Sequence, residues 1–124
     1  MTAARPVTDI LLVEDNRADV RLTVEAIREA DSSVSLLTAR TGEEALRMLR
    51  GETSRPVSPK LIVLDLNLPG LDGRAVLREI KGDPKIRHIP VVVLTTSDNV
   101  DDLWTSYRDG ANCYVTKPID LEDF

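Results

Sequence analysis

L-I-V-L-D-L-N-L-P-G-L-D-G, running from Leu61 to Gly73, places four branched apolar residues in front of an acid, and a turn immediately behind it. An uninterrupted apolar run bounded by Pro59 on one side and Pro69-Gly70 on the other has the length and composition of a strand buried on both faces, as the strands of a parallel sheet are. Asp65 therefore stands at the carboxyl end of a core strand. Burying an ionised carboxylate is costly, so an acid at that position serves a purpose in a crevice or is desolvated for one. Asn67 and Pro69-Gly70 turn the backbone out of the sheet, and Asp72 is placed to cap the helix that follows.

The same design recurs on either side. Ile10 to Val13 is a second wholly apolar run, and it ends on the acid pair Glu14-Asp15. Asn16 caps the next helix, whose apolar stripe is Val20, Val24 and Ile27, with Asp19, Arg21, Arg28 and Glu29 solvated. Val34 to Ala39 reads as a strand. Thr41-Gly42-Glu43-Glu44 has capping-box spacing and opens a helix with Ala45, Leu46 and Leu49 facing inward and a stop at Gly51. Gly51 to Lys60 is then a polar loop. Beyond Gly73, Val76, Leu77 and Ile80 mark a third helix ending at Gly82, with Arg74, Arg78 and Lys81 as a solvated basic stripe. Val91 to Leu94 is a further buried run and ends on Thr95-Thr96-Ser97. A fourth helix is expected with Val100, Leu103, Trp104, Tyr107 and Ala111 on one face and Gly110 as its stop. Cys113 to Thr116 is the last strand, followed by Lys117-Pro118.

Five alternations of strand and helix predict an α/β fold with a parallel sheet. At 124 residues the chain is read as one domain, residues 1–124. Its net charge of −5 argues against direct nucleic-acid binding and against an anionic membrane surface. The apolar runs are strand-sized, far short of a membrane span, and no signal-peptide stretch precedes Pro6, so a cytoplasmic location is expected. The single cysteine, Cys113, excludes an internal disulfide and is expected to be a small buried hydrophobe.

Function follows from where the polar residues fall. Glu14, Asp15, Asp65, Thr95 and Lys117 each come directly after an apolar run, and in a parallel sheet all carboxyl ends lie on one edge. Taken singly each has an ordinary structural role, as a helix-terminus acid, a turn residue or a surface lysine. Together they converge on one crevice. Three neighbouring carboxylates repel and need a cation, and an oxygen-only donor set with room for water and phosphate suits Mg²⁺. A carboxylate beside Mg²⁺, with a hydroxyl and an ammonium across the pocket, is a nucleophile for a phosphoryl group.

With these residues in place, the chain resembles a response-regulator receiver domain of bacterial two-component systems. The likeness rests on Glu14-Asp15, the L-D-L-N-L-P-G-L-D-G segment, Thr95 and Lys117-Pro118. It implies a flavodoxin-like three-layer fold with strand order 2-1-3-4-5 and Asp65 as phosphoacceptor for a sensor histidine kinase. It also implies Mg²⁺ held by Asp15, Asp65 and the backbone carbonyl of Asn67, with Glu14 acting through water. Lys117 would grip the phosphoryl group, its peptide bond to Pro118 is expected to be cis, and Thr95 and Tyr114 would form the conformational switch. Such a protein is a signalling phosphoacceptor that catalyses only its own phosphorylation and dephosphorylation, and it admits a homodimer. T-T-S-D-N-V-D-D-L-W and N-C-Y-V-T-K-P are similar to the stand-alone regulators of phytochrome-type kinases. Thr96 departs from the small residue common after the switch threonine. The fifth helix, expected to begin at Asp120, is cut short at Phe124, which calls for a longer natural chain or a partner over that face. A haloacid dehalogenase-type phosphatase is disfavoured because Asn67 stands where its second aspartate belongs. A Rossmann domain lacks its glycine-rich loop, since E-D-N-R follows the first strand. A receiver-like module working without phosphorylation is the remaining alternative.

Overall fold

Every wholly apolar run is a strand of one parallel sheet. The computed structural model describes residues 7–53, 57–95, 108 and 110–116. Within them lie strands β1 (Val7–Val13), β2 (Leu36–Ala39), β3 (Ser58–Asp65), β4 (Val91–Thr95) and β5 (Cys113–Thr116). Between the first four run helices α1 (Arg17–Ala30), α2 (Gly42–Leu49) and α3 (Gly73–Gly82). The strand order is β2-β1-β3-β4-β5 with every pair parallel, the flavodoxin-like order.

Apolar residues occupy both faces because both are covered, which is why the strands read as continuous runs rather than alternations. Leu11 and Val13 of β1, Ile62 and Leu64 of β3, and Val91 and Val93 of β4 pack against Leu46 and Leu49 of α2 and Val76, Leu77 and Ile80 of α3. On the opposite face Ile10, Leu12, Val63, Leu94 and Val115 join Ile27 of α1, with Val20 and Val24 partly buried beside them.

The helix starts are side-chain caps. Asn16 Oδ1 accepts from the Asp19 amide at 3.0 Å, Thr41 Oγ1 from the Glu44 amide at 3.1 Å, and Asp72 Oδ1 from the Arg74 amide at 2.7 Å. Each supplies a partner to an amide that a helix's first turn leaves without one. At the far end of α2, Gly51 takes φ 74°, the left-handed conformation that a residue with a Cβ avoids.

Several expectations are corrected. β3 begins at Ser58, inside the predicted loop, and runs through Pro59 at the end where only β1 flanks it, since β4 joins from Ile62 onward. β2 begins at Leu36 rather than Val34. Cys113 is exposed, because it opens an edge strand opposite the half-buried Val92, at the margin of the core. Ala111, expected on the fourth helix, lies outside any helix two residues before β5 and belongs to the core, packed with the residues facing α2 and α3. Lys81 leaves the solvated stripe: its Nζ donates to the carbonyl oxygens of Ile89 at 2.7 Å and Arg87 at 3.1 Å, pinning the turn into β4. Burial lowers the pKa of that ammonium below the ordinary lysine value. The expected fourth-helix face at Val100, Leu103, Trp104 and Tyr107 lies outside the described residues, as does the segment from Lys117 onward.

Candidate functional site

Asp65 is the last residue of β3, the middle strand of the five, and is only 2% exposed. Its Oδ1 accepts the Asn67 amide at 3.0 Å, so the turn that leaves the sheet also orients the carboxylate. That turn is held close to the strand. The Gly73 amide donates to Leu66 O at 3.3 Å, and a Cβ on Gly73 would stand 2.3 Å from Asp65 O and 2.5 Å from Leu66 Cα. Only glycine permits α3 to start so near the acid.

One strand away, β1 hands over to Glu14 and Asp15. The Glu14 amide donates to Ala39 O at 3.0 Å, which extends the β1–β2 pairing by one step. Its side chain is fully buried, and Oε1 accepts the Asn16 amide at 3.2 Å. Asp15 is exposed. Carboxylate oxygens of Glu14, Asp15 and Asp65 all lie within 4.8 Å of one another. Two oxygens bound to a single Mg²⁺ stand no more than about 4.2 Å apart, twice its bond length. The cluster therefore fits a hard cation after small inward movements, or with one acid acting through water. The donor set is oxygen alone, two acids are buried and the third faces solvent, which leaves a side for water and a phosphoryl oxygen.

Thr95 ends β4 and is 5% exposed. Asp65 is level with Leu94, so Thr95 stands one residue further along the same edge, beside the acid. Thr95 in turn pairs with Thr116, the residue before Lys117. Tyr114 has its backbone in β5 opposite Val93, while its side chain, Thr96, Lys117 and Pro118 lie outside the described residues. The structure thus brings together Glu14, Asp15, Asp65, Asn67 and Thr95.

A cleft of about 550 Å³ opens beside this cluster, above the ends of β1 and β2. Glu14, Asp15 and Glu44 line it together with Arg17 and Arg40. Arg40 is absent from the motif reading, although it had a signal of the same kind as the acids, since it directly follows the buried end of β2.

A parallel α/β sheet in this strand order, with three acids gathered on its carboxyl edge around a buried aspartate, defines a class of flavodoxin-like domain whose oxygen donors fit a hard cation. Residues 10–124 match the response regulator receiver domain, and the chain belongs to that family. It is 48% identical over 122 residues to the response regulator Rcp1 of Synechocystis, covering 97% of this chain and 83% of Rcp1. The structure superposes on the phosphorylated cyanobacterial phytochrome response regulator RcpA with a TM-score of 0.77 and 48% identity, across 96% of this chain and 85% of that one. The Mn²⁺-bound form of Rcp1 superposes with a TM-score of 0.78 and 46% identity, across 94% and 85%. The chain is thus a receiver of two-component signalling, a family with a phosphoacceptor role whose partner is a histidine kinase. Among the described residues no helix is long and apolar enough to cross a membrane.

Proposed function

We propose that Asp65 is the phosphoacceptor of a receiver domain spanning residues 1–124, charged by a phytochrome-type histidine kinase. The observation that carries this reading is a buried Asp65, held by the Asn67 amide, within 4.8 Å of the Glu14 and Asp15 carboxylates. An Asp65 carboxylate oxygen attacks phosphorus, the bond from phosphorus to the donor nitrogen or oxygen breaks, and the product is an acyl phosphate. Water attack on phosphorus later returns the carboxylate and inorganic phosphate. Asp15, Asp65 and the Asn67 carbonyl would hold Mg²⁺ directly and Glu14 through water, and the ion when bound would supply charge neutralisation for the phosphoryl oxygens. Glu14 and Asp15 hold that charge in place, while the buried wall around Asp65 restricts water.

Thr95, placed one residue beyond the level of Asp65, donates its hydroxyl to a phosphoryl oxygen, and Lys117 pairs with another. Thr95 and Tyr114 form a two-state element whose populations shift because the phosphoryl group contacts one state better than the other. The partners are a sensor histidine kinase and a second copy of the chain in a homodimer, with no part for nucleic acid or a membrane; the setting is the cytoplasm. Likeness to the cyanobacterial phytochrome response regulator RcpA supports the kinase class.

The test is intact mass after incubation with Mg²⁺ and acetyl phosphate, run on the wild type and on Asp65→Asn. A hydroxylamine-labile phosphoryl adduct on the wild type alone, lost with chelator, is the expected result. No adduct on a folded, Mg²⁺-binding wild type would replace this reading with an interaction module that works without phosphorylation.

A further inference from the structure

The cleft beside the acid cluster contains more cationic charge than a metal site requires. Arg17 opens α1 and Arg40 follows β2, and both are exposed where they line the cleft with Glu14, Asp15 and Glu44. Among the described residues neither guanidinium forms an ion pair or hydrogen bond, in contrast to Arg50, which binds both Glu79 and Asp83. Two arginines left unpaired in a cleft with three carboxylates are available to a ligand from solution. Their effect on the site is a matter of charge. Glu14, Asp15, Glu44 and Asp65 together carry four negative charges; a divalent cation cancels half of them and the two arginines the rest. Without the arginines the metal-loaded site would remain negative even with the Lys117 charge counted, and would repel a dianionic phosphoryl donor.

We infer that Arg17 and Arg40 are specificity-determining residues that make this cleft the anion-admitting side of the site, weakening its hold on the divalent cation and receiving the anionic phosphoryl donor. The inference rests on the phosphoacceptor reading of Asp65 and adds the electrostatic selection of its substrate. Because both side chains are exposed, the effect is one of field rather than of a buried contact, and salt screens it. It acts oppositely on the two ligands. A positive charge near the acids disfavours a cation and favours an anion, whereas a residue needed only for folding would weaken both.

The test uses the full chain as wild type, Arg17→Gln/Arg40→Gln and Arg17→Lys/Arg40→Lys, with Mg²⁺ and acetyl phosphate as probes. Mg²⁺ affinity is read by calorimetry without donor, and the second-order rate of adduct formation on Asp65 by intact mass. The glutamine pair is expected to bind Mg²⁺ about three- to tenfold more tightly and to accept acetyl phosphate about five- to tenfold more slowly at low ionic strength. Both differences should shrink severalfold at about 0.5 M salt, and the lysine pair should restore wild-type behaviour because charge is what matters. Unchanged Mg²⁺ affinity, or a change in the same sense for both ligands, overturns the inference. A wild type that takes no phosphoryl group overturns the phosphoacceptor reading and the donor half of this inference together. An adduct on Asp65 formed at a rate indifferent to both arginines overturns the inference alone.

Discussion

At the scale of single residues, the sharpest constraint is Gly73. A Cβ added there would meet backbone atoms of Asp65 and Leu66 at 2.3 and 2.5 Å, and these cannot rotate aside as a side chain would. Gly73→Ala is expected to destabilise the fold by about 2–4 kcal/mol, measured by urea denaturation, because the new methyl group must push α3 away from β3. The same displacement should weaken Mg²⁺ binding, since the turn carrying Asn67 moves with it. Lys81 is the second such residue. Lys81→Met keeps the buried stem but removes the donor to the Ile89 and Arg87 carbonyls. A loss of about 1–2 kcal/mol is expected, discounted from a fully buried charged hydrogen bond because the lysine is half-exposed.

At the scale of elements, what sets each helix is its cap more than its surface charge. Asp72 accepts the Arg74 amide at 2.7 Å where α3 leaves the functional turn, so Asp72→Ala should cost about 1 kcal/mol in denaturation experiments. Arg50 joins α2 to α3 through Glu79 at 2.9 Å and Asp83 at 3.4 Å, but its side chain is a third exposed. Arg50→Ala is accordingly expected to cost less than about 1 kcal/mol, and less again in high salt. If the arginine variant proved the more damaging of the two, the ion pairs would be holding the helix pair together. The elements also show where a pattern misleads. Arg74, Arg78 and Lys81 of α3 follow at helical intervals of four and three, yet Lys81 reaches away from that stripe, because the carbonyls that attract it come from the loop into β4 and not from its own helix.

For the molecule as a whole, the acid cluster sets stability against ligand. Three carboxylates within 4.8 Å repel when no cation is bound. Asp15→Asn should therefore raise the melting temperature in chelator, by the equivalent of about 0.5–1 kcal/mol, and abolish the rise that Mg²⁺ gives the wild type. For the wild type that rise corresponds to about 2.7 kcal/mol at a hundredfold excess over the dissociation constant. Acid titration works in the other direction at three surface aspartates. Backbone and side-chain hydrogen bonds from Ser35 hold Asp9 below its ordinary 3.8, the Ser33 hydroxyl and amide do so for Asp31, and the Lys85 amide followed by Arg50 does so for Asp83. In each case the unfolded chain binds the proton more tightly, so the stabilisation is complete above 3.8 and is lost as pH falls through the lower folded-state value. A variant with all three changed to Asn should show a flatter loss of stability between about pH 5 and pH 2 than the wild type.

Much of this was legible in order along the chain. A parallel strand covered on both faces must be apolar throughout, so Ile10 to Val13, Leu61 to Leu64 and Val91 to Leu94 announce themselves, and the first polar residue after each marks the functional edge. That logic placed Glu14, Asp15, Asp65 and Thr95 on one edge of the sheet, where the structure has them, and read Asn16, Thr41 and Asp72 as caps, because capping is settled within a few residues. Other features depend on contacts between segments distant in sequence. Ser58 to Lys60 are strand because β1 lies alongside them; Cys113 is exposed because its strand is at the edge of the sheet. Arg17 and Arg40, separated by a helix and a strand, share a cleft with the acids only because β1 and β2 pair. Local sequence carries the backbone's preferences and the period of burial, whereas which charges face one another is decided when the strands take their places in the sheet.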